Sequence, residues 1–327
     1  MANTSPEPDD ILGTRPTGEG RTGTAQLLRA GLGLLRQHGL RAWLLAVLTL
    51  LLLHVITQVV HGPLFIWLLT TQGRADSWWW SLNMLASVAS IVARSPVLVA
   101  YAFALLLLLK DRRPSLRLLF APLKSRRLLG NVAIAGSMVP LVRWLLPWLW
   151  RSIPWSELQP GIVEEGSLLW RLLQVVPVPE WLTGSLPYWL ATMVAVPLAW
   201  AGLNALVSRQ AWFRSVARSA RLAFRYWRLA AGYLVATVLL PFAHDVHTRL
   251  GWFAGEHEGA VYWLLFFLHF LSFFVVSSIV ILLETLFLVL VYREMIWRER
   301  EAQGPRFDLA HRPEPVEGPL DSPPQTP

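Results

Sequence analysis

The sequence predicts an all-α integral membrane protein of about six transmembrane helices. They are arranged as three pseudo-repeats, each a cytoplasmic amphipathic helix followed by two spans. Three observations carry this. The 327-residue chain is 54% hydrophobic with a mean hydropathy of +0.44, more apolar than a soluble domain of that length needs. Its apolar residues gather in runs of about 20 with almost no charge, and a helix of that length crosses a hydrocarbon core of about 30 Å. Its cations fall in alternate connections.

In chain order, residues 1–24 are polar, acidic and rich in Pro and Gly. They read as a disordered tail. They lack the basic start and short apolar core of a signal peptide, so the first span is expected to act as an uncleaved insertion signal. The membrane domain covers 25–300. Its spans are read at 42–62, 85–109, 129–150, 182–206, 229–247 and 262–291. The first is open to extension past His61-Gly62-Pro63, and the last is longer than one bilayer and is expected to tilt or protrude. Residues 301–327 form a Pro-rich tail, also read as disordered.

Lys and Arg set the orientation. The segments 1–41, 110–128, 207–228 and the tail from Arg293 carry 23 of them; the three intervening connections carry four. Both termini are therefore expected in the cytoplasm of a bacterial cell, with the protein in its inner membrane. The net charge of +8 reads as this bias and not as a nucleic-acid surface. The opposite connections hold Trp78, Trp79, Trp80, Trp148, Trp150, Trp155, Trp170, Trp181 and Trp252, residues suited to the headgroup level. Leu168, Leu169, Leu172 and Leu173 share one face of a short helix expected to lie on that outer surface.

Three segments align without gaps: LLRAGLGLLRQHGL (27–40), SLRLLFAPLKSRRL (115–128) and VARSARLAFRYWRL (216–229). Arg29, Arg117 and Arg218 coincide, as do Arg36, Lys124 and Arg225, and Leu40, Leu128 and Leu229. Each segment leads into an odd-numbered span, so the repeat unit is a surface helix, an elbow, a span out and a span back. In the third copy Arg218, Arg221, Arg225 and Arg228 are spaced for one helix face, with Val216, Ala220, Ala223 and Trp227 opposite. Such a helix is expected to lie in the inner interface, its cations on anionic headgroups and Trp227 toward the acyl chains. The competing reading is that these arginines only enforce topology.

These three segments, above all RLAFRYWRLAAGYLVATVLL (221–240), resemble a superfamily of six-span bacterial membrane proteins. It includes the membrane domain attached to glycerophosphodiester phosphodiesterases. The resemblance covers roughly residues 24–300 and implies a membrane module. No hydrolase domain accompanies it, so it implies no catalytic residue.

Charge inside a span is costly and marks function by default. Arg94, Arg143 and Glu284 are such residues. Arg94 and Arg143 are expected at similar heights and Glu284 nearer the cytoplasm, which would strain an Arg94–Glu284 pair. One reading has both arginines snorkelling outward and Glu284 meeting a basic elbow helix; the other makes Arg94 and Arg143 line an anion site or polar pathway. His54 and His61 end the first span. His244, Asp245, His247, His257 and Glu258 offer zinc-type ligands, but no H-E-x-x-H helix is present, and the reading is of interfacial histidines without metal.

The chain has no cysteine, no G-x-S-x-G, no Walker A and no dinucleotide fingerprint. GLGLLR (31–36) precedes no soluble fold. No cofactor is expected. Gly130, Gly136, Gly184, Gly202 and Gly232 are expected to serve close helix packing. The leading function is a non-enzymatic inner-membrane protein whose partners are lipids with anionic headgroups at the cytoplasmic face, or a membrane protein. One alternative is a small-solute transporter, with Pro140, Pro147, Pro187, Pro197 and Pro241 breaking its spans. The second is an enzyme acting at the outer face.

Overall fold

The computed structural model describes residues 24–70, 77–109, 119–120, 122–123, 125–152, 180–239 and 259–303. Every regular element among them is helical. Eight α-helices follow in order: α1 (Thr24–Thr70), α2 (Ser77–Leu108), α3 (Arg126–Ser152), α4 (Glu180–Ala195), α5 (Ala201–Ser208), α6 (Trp212–Arg225), α7 (Trp227–Leu239) and α8 (Gly259–Gln303). A 3-10 turn, Val196–Leu198, joins α4 to α5. Among the described residues, five stretches are long and apolar enough to cross a membrane: Arg29–Trp67, Trp79–Leu108, Arg126–Trp150, Pro187–Ser208 and Phe266–Ala302.

The first and last helices run further than the sequence suggests. α1 passes through Pro63 without a break and has 47 residues, about 70 Å at 1.5 Å per residue. α8 has 45. Both exceed a hydrocarbon core of about 30 Å, so each projects beyond it or tilts. α1 and α2 form an antiparallel hairpin: the Tyr101 hydroxyl donates to the Ala42 carbonyl at 3.3 Å near one end, and Trp67 stacks on Trp79 at the other.

One core holds most of the bundle. Leu27, Leu34, Ala42 and Leu45 of α1, Tyr101 and Leu105 of α2, Leu229 and Tyr233 of α7, and Leu286 to Met295 of α8 pack around Trp200. A second cluster joins α2, α3 and α5 through Val99, Val132, Ala135, Ala201 and Ala205. Its closeness depends on glycine. A Cβ on Gly202 would sit 2.5 Å from Val99 Cγ2 and 3.0 Å from the Gly136 Cα, and one on Gly136 would sit 2.8 Å from Val99 Cγ2. Gly136 and Gly202 thus do what the sequence expects of them. Gly130 does not: nothing lies within 4 Å of the place a Cβ would take.

Two expected features differ. The segment 27–40 is no separate surface helix; it is the start of α1, which continues straight through Leu40. The fourth span is broken at Pro197 into α4 and α5. Arg117, Lys124, the 167–176 helix, residues 1–23, 240–258 and 304–327 lie outside the described residues, while Thr24 and residues 301–303, expected in the tails, belong to α1 and α8.

Candidate functional site

Proline at 197 removes a backbone donor and starts a 3-10 turn in which the α-helical ladder is lost. In a membrane-embedded bundle the freed backbone groups must find partners inside the protein. One side chain from α6 supplies both. The Ser219 hydroxyl donates to the Pro197 carbonyl at 2.7 Å and accepts from the Trp200 N–H at 3.2 Å. Trp200, fully buried, donates its indole N–H to the Leu288 carbonyl of α8 at 3.0 Å. A turn later, the Tyr292 hydroxyl donates to Asn204 Oδ1 at 3.0 Å, leaving Asn204 Nδ2 buried without a partner. α5 then ends on Arg209 at φ 48°, the left-handed cap that glycine usually supplies.

α6 presents three faces. Ser215, Ser219, Leu222 and Ala223 are buried against the bundle. Phe213, Ala217 and Phe224 form an exposed apolar stripe, with Phe224 72% exposed. Arg214, Arg221 and Arg225 are exposed on the flank beside it. Arg218 does not join them. It turns inward, donating to Glu299 of α8 at 3.0 Å and to Ser208 at 3.2 Å. The helix ends at Tyr226, whose backbone (φ −115°, ψ 42°) leaves the helical region. This bend removes Arg228 from the expected four-arginine face and carries it into α7, where it lies over the Trp227 ring. Trp227 is 62% exposed, as the interfacial reading requires. Ala220 and Ala223, expected beside it, fall instead on the stripe's edge and in the buried face. Burial pushes the Tyr226 hydroxyl above its ordinary range; Arg225 opposes this and Glu299 adds to it.

The charges within the spans sort differently from the expectation. Arg143 of α3 donates to Glu284 of α8 at 3.0 Å, and Tyr233 of α7 lies beside the pair. Glu284 therefore meets neither an elbow helix nor Arg94. The expected height difference came from ending the last helix near Arg293, whereas α8 continues to Gln303. Counted along their own helices, Arg143 and Glu284 each lie roughly five turns from the Arg126 and Gln303 ends. Arg94 stands apart: its Nε donates at 3.3 Å to the Ser90 carbonyl of its own helix, and it reaches no carboxylate among the described residues.

Of the other candidates, Arg29 and Arg36 are exposed on α1. His54 and His61 bond within α1, to Gln58 and to the Thr57 carbonyl. His244, His247 and His257 lie outside the described residues, among which no group of ligating side chains could hold a metal. Trp80 and Trp148 are exposed near helix ends as expected. Sequence reasoning missed Ser219, Asn204, Tyr292 and Glu299. None of the four carried a clear signal; Glu299 is one of three acids, with Glu294 and Glu301, mixed with Arg298 and Arg300 after Arg293.

Compared with protein-family models, with curated proteins and with solved structures, the chain matches none.

Proposed function

We propose that the protein is a non-enzymatic, six-span integral protein of a bacterial inner membrane, both termini cytoplasmic, that binds anionic lipids through α6. The observation that carries this is the division of α6 into three faces. One is fastened to α5 and α8. The second offers Phe213 and Phe224, followed by Trp227, to acyl chains. The third offers Arg214, Arg221 and Arg225 to phosphates. A helix with apolar and cationic stripes side by side lies in a headgroup layer, and each arginine near an anionic leaflet contributes about 1 kcal/mol. The six-span reading takes α7 as the start of the fifth span. Under it, the charge bias of 23 against four places α6 on the cytoplasmic side. Of the three aligned segments the third forms an elbow and the first does not, while most of the second lies outside the described residues.

The test uses the full chain in neutral detergent, with phosphatidylglycerol or phosphatidylcholine added and retained lipid counted by native mass spectrometry. Phosphatidylglycerol should be preferred, by a margin that shrinks with salt. The triple variant R214Q/R221Q/R225Q should lose most of that preference. Equal retention of the two lipids, or indifference to the triple variant, would reduce the arginines to topology signals.

A transporter is the second reading. The broken fourth span and the Arg143–Glu284 pair favour it, since carriers place broken helices and paired charges at their substrate sites. Uptake of a substrate that stops in E284Q but survives R221Q would support it over the lipid reading.

A further inference from the structure

Among the described residues, Arg143 has a carboxylate and Arg94 has none. An arginine inside a span persists when something compensates its charge. What surrounds Arg94 follows from the register of the α1–α2 hairpin. Ala42 meets Tyr101 near one end and Trp67 meets Trp79 at the other, so Thr49 lies opposite the turn that holds Arg94, and Leu53 lies opposite Ser90. The faces agree. On α2, Ser90, Arg94 and Tyr101 are spaced four and seven apart, and on α1, Ala42, Thr49 and Leu53 are spaced seven and four apart. Each set forms a single line along its helix. The seam is tight: Ala42 and Thr49 are 0% exposed and Ser90 is 1% exposed.

Among the described residues, two hydroxyls in this seam have no partner. Thr49 Oγ1 and Ser90 Oγ are both buried without a hydrogen bond. That departs from the habit of helical serine and threonine in a membrane, which bond the carbonyl a turn earlier. Ser95, Ser87 and Thr57 of the same two helices follow the habit. Arg94 itself folds back toward Ser90, donating through Nε to the Ser90 carbonyl and leaving its two terminal nitrogens free of protein acceptors among the described residues. Among the described residues, the seam thus holds one guanidinium without a carboxylate and two O–H donors without an acceptor.

We propose that the α1–α2 seam is an oxyanion site, in which the Arg94 guanidinium takes the charge of a phosphate group and Ser90 and Thr49 donate to its oxygens. A guanidinium fork matches two oxygens of a phosphate, and hydroxyls complete the shell. The phosphate belongs either to a free ion or to a lipid headgroup. The site is separate from α6 and does not depend on the lipid reading given to that helix.

The experiment uses the purified full chain in neutral maltoside detergent, in two arms. The first follows thermal unfolding while inorganic phosphate is titrated against chloride at equal ionic strength. The second counts phosphatidylglycerol retained in native mass spectra. Wild type is compared with R94Q, R94K, T49V/S90A and R214Q/R221Q/R225Q. In the arm that responds, R94Q should weaken the apparent affinity about tenfold or more, R94K less, and T49V/S90A a few-fold. Without anion, T49V/S90A should unfold at or above the wild-type temperature, because its hydroxyls have no bond to lose. This variant decides the matter even where R94Q folds poorly. A response to phosphate identifies a free anion; a response confined to the lipid identifies a headgroup. The proposal is overturned if neither arm depends on Arg94 and the two hydroxyls, or if all anion binding vanishes in the α6 triple variant alone.

Discussion

The first four turns of α1 and the helix α6 carry the same charge frame and fold differently. Arg29 and Arg36 align with Arg218 and Arg225, and Leu40 aligns with Leu229. Yet α1 runs straight through its junction, while α6 bends at Tyr226. Apolar spacing does not separate them. Buried positions recur at helical spacing in both: Leu27, Gly31 and Leu34 in one, Ser219 with Leu222 and Ala223, then Leu229 and Ala230 with Tyr233 in the other. The difference lies in what the buried face touches. Gly31 lets α1 approach Leu290 of α8, where a Cβ would stand 3.0 Å from a leucine methyl, and the hydrogen bond from Trp43 to Ser278 at 3.0 Å ties the two helices further along, beyond the junction at Leu40. α6 meets the broken fourth span and is tied to it by Ser219, and to α8 by Arg218. Those polar ties fix the direction of α6 independently of α7, and the chain accommodates both by turning at Tyr226. A helix junction is thus set by the polar demands of its neighbour, with the hydrophobic period permitting either outcome.

The largest expected effect concerns α8, on which both regions pack. Glu284→Ala leaves the Arg143 guanidinium unpaired within the bundle, and such a loss costs about 3 kcal/mol or more. Thermal unfolding should fall by several degrees. Hydrogen exchange should rise in residues 27–40 and 216–229 alike, because α8 supports both. Replacing the pair together, as R143M/E284L, should recover most of the loss. A rise confined to one region would show that the other does not depend on α8.

Next comes the matched pair of arginines. Arg218→Ala strips Glu299 of its partner in a partly buried setting, a loss of about 1–2 kcal/mol. Arg29→Ala, at the same frame position but exposed, should change stability by less than about 0.5 kcal/mol. Thermal melts of the two variants in one detergent make the comparison direct. Equal effects would mean that the shared frame, and not the neighbour, governs both segments.

Much of this was legible beforehand and some could not be. The apolar runs named the helices, because they are local in sequence; of the prolines expected to break spans only Pro197 does, while Pro140, Pro147 and Pro187 sit inside unbroken helices and Pro241 lies outside the described residues. The arginine stripe beside exposed aromatics was legible in part: Arg221, Arg225 and Trp227 follow from helical spacing, but the inward turn of Arg218 depends on Glu299, 81 residues away. The Arg143–Glu284 pair was missed because depth was counted from Arg293, where the apolar run stops; α8 continues to Gln303 through a charged stretch that hydropathy excludes from a span. Ser219 gave no sign at all. A lone serine on a helix becomes important only when a broken backbone 22 residues earlier folds beneath it.

The smallest effect isolates that serine. Residue 30 of α1 occupies the frame position of residue 219, and there the chain has alanine. Ser219→Ala leaves the Pro197 carbonyl and the Trp200 N–H buried without partners, since α4 and α5 have lost the helical bonds that would serve them. Two neutral groups losing one shared partner cost about 1 kcal/mol, somewhat more if no water enters. Ala30→Ser, by contrast, adds a hydroxyl to a helix whose own carbonyls can accept it, and should cost a few tenths of a kcal/mol. The exchange pattern is more telling than the melting temperature. In Ser219→Ala, protection should drop at residues 199–204 and at 213–225 together, because one hydroxyl holds the break and the elbow helix. In Ala30→Ser, protection along 27–40 should stay at the wild-type level. If Ser219→Ala leaves residues 199–204 fully protected, then the broken span satisfies its backbone without α6. The bend at Tyr226 would then need a cause within α6 and α7 themselves.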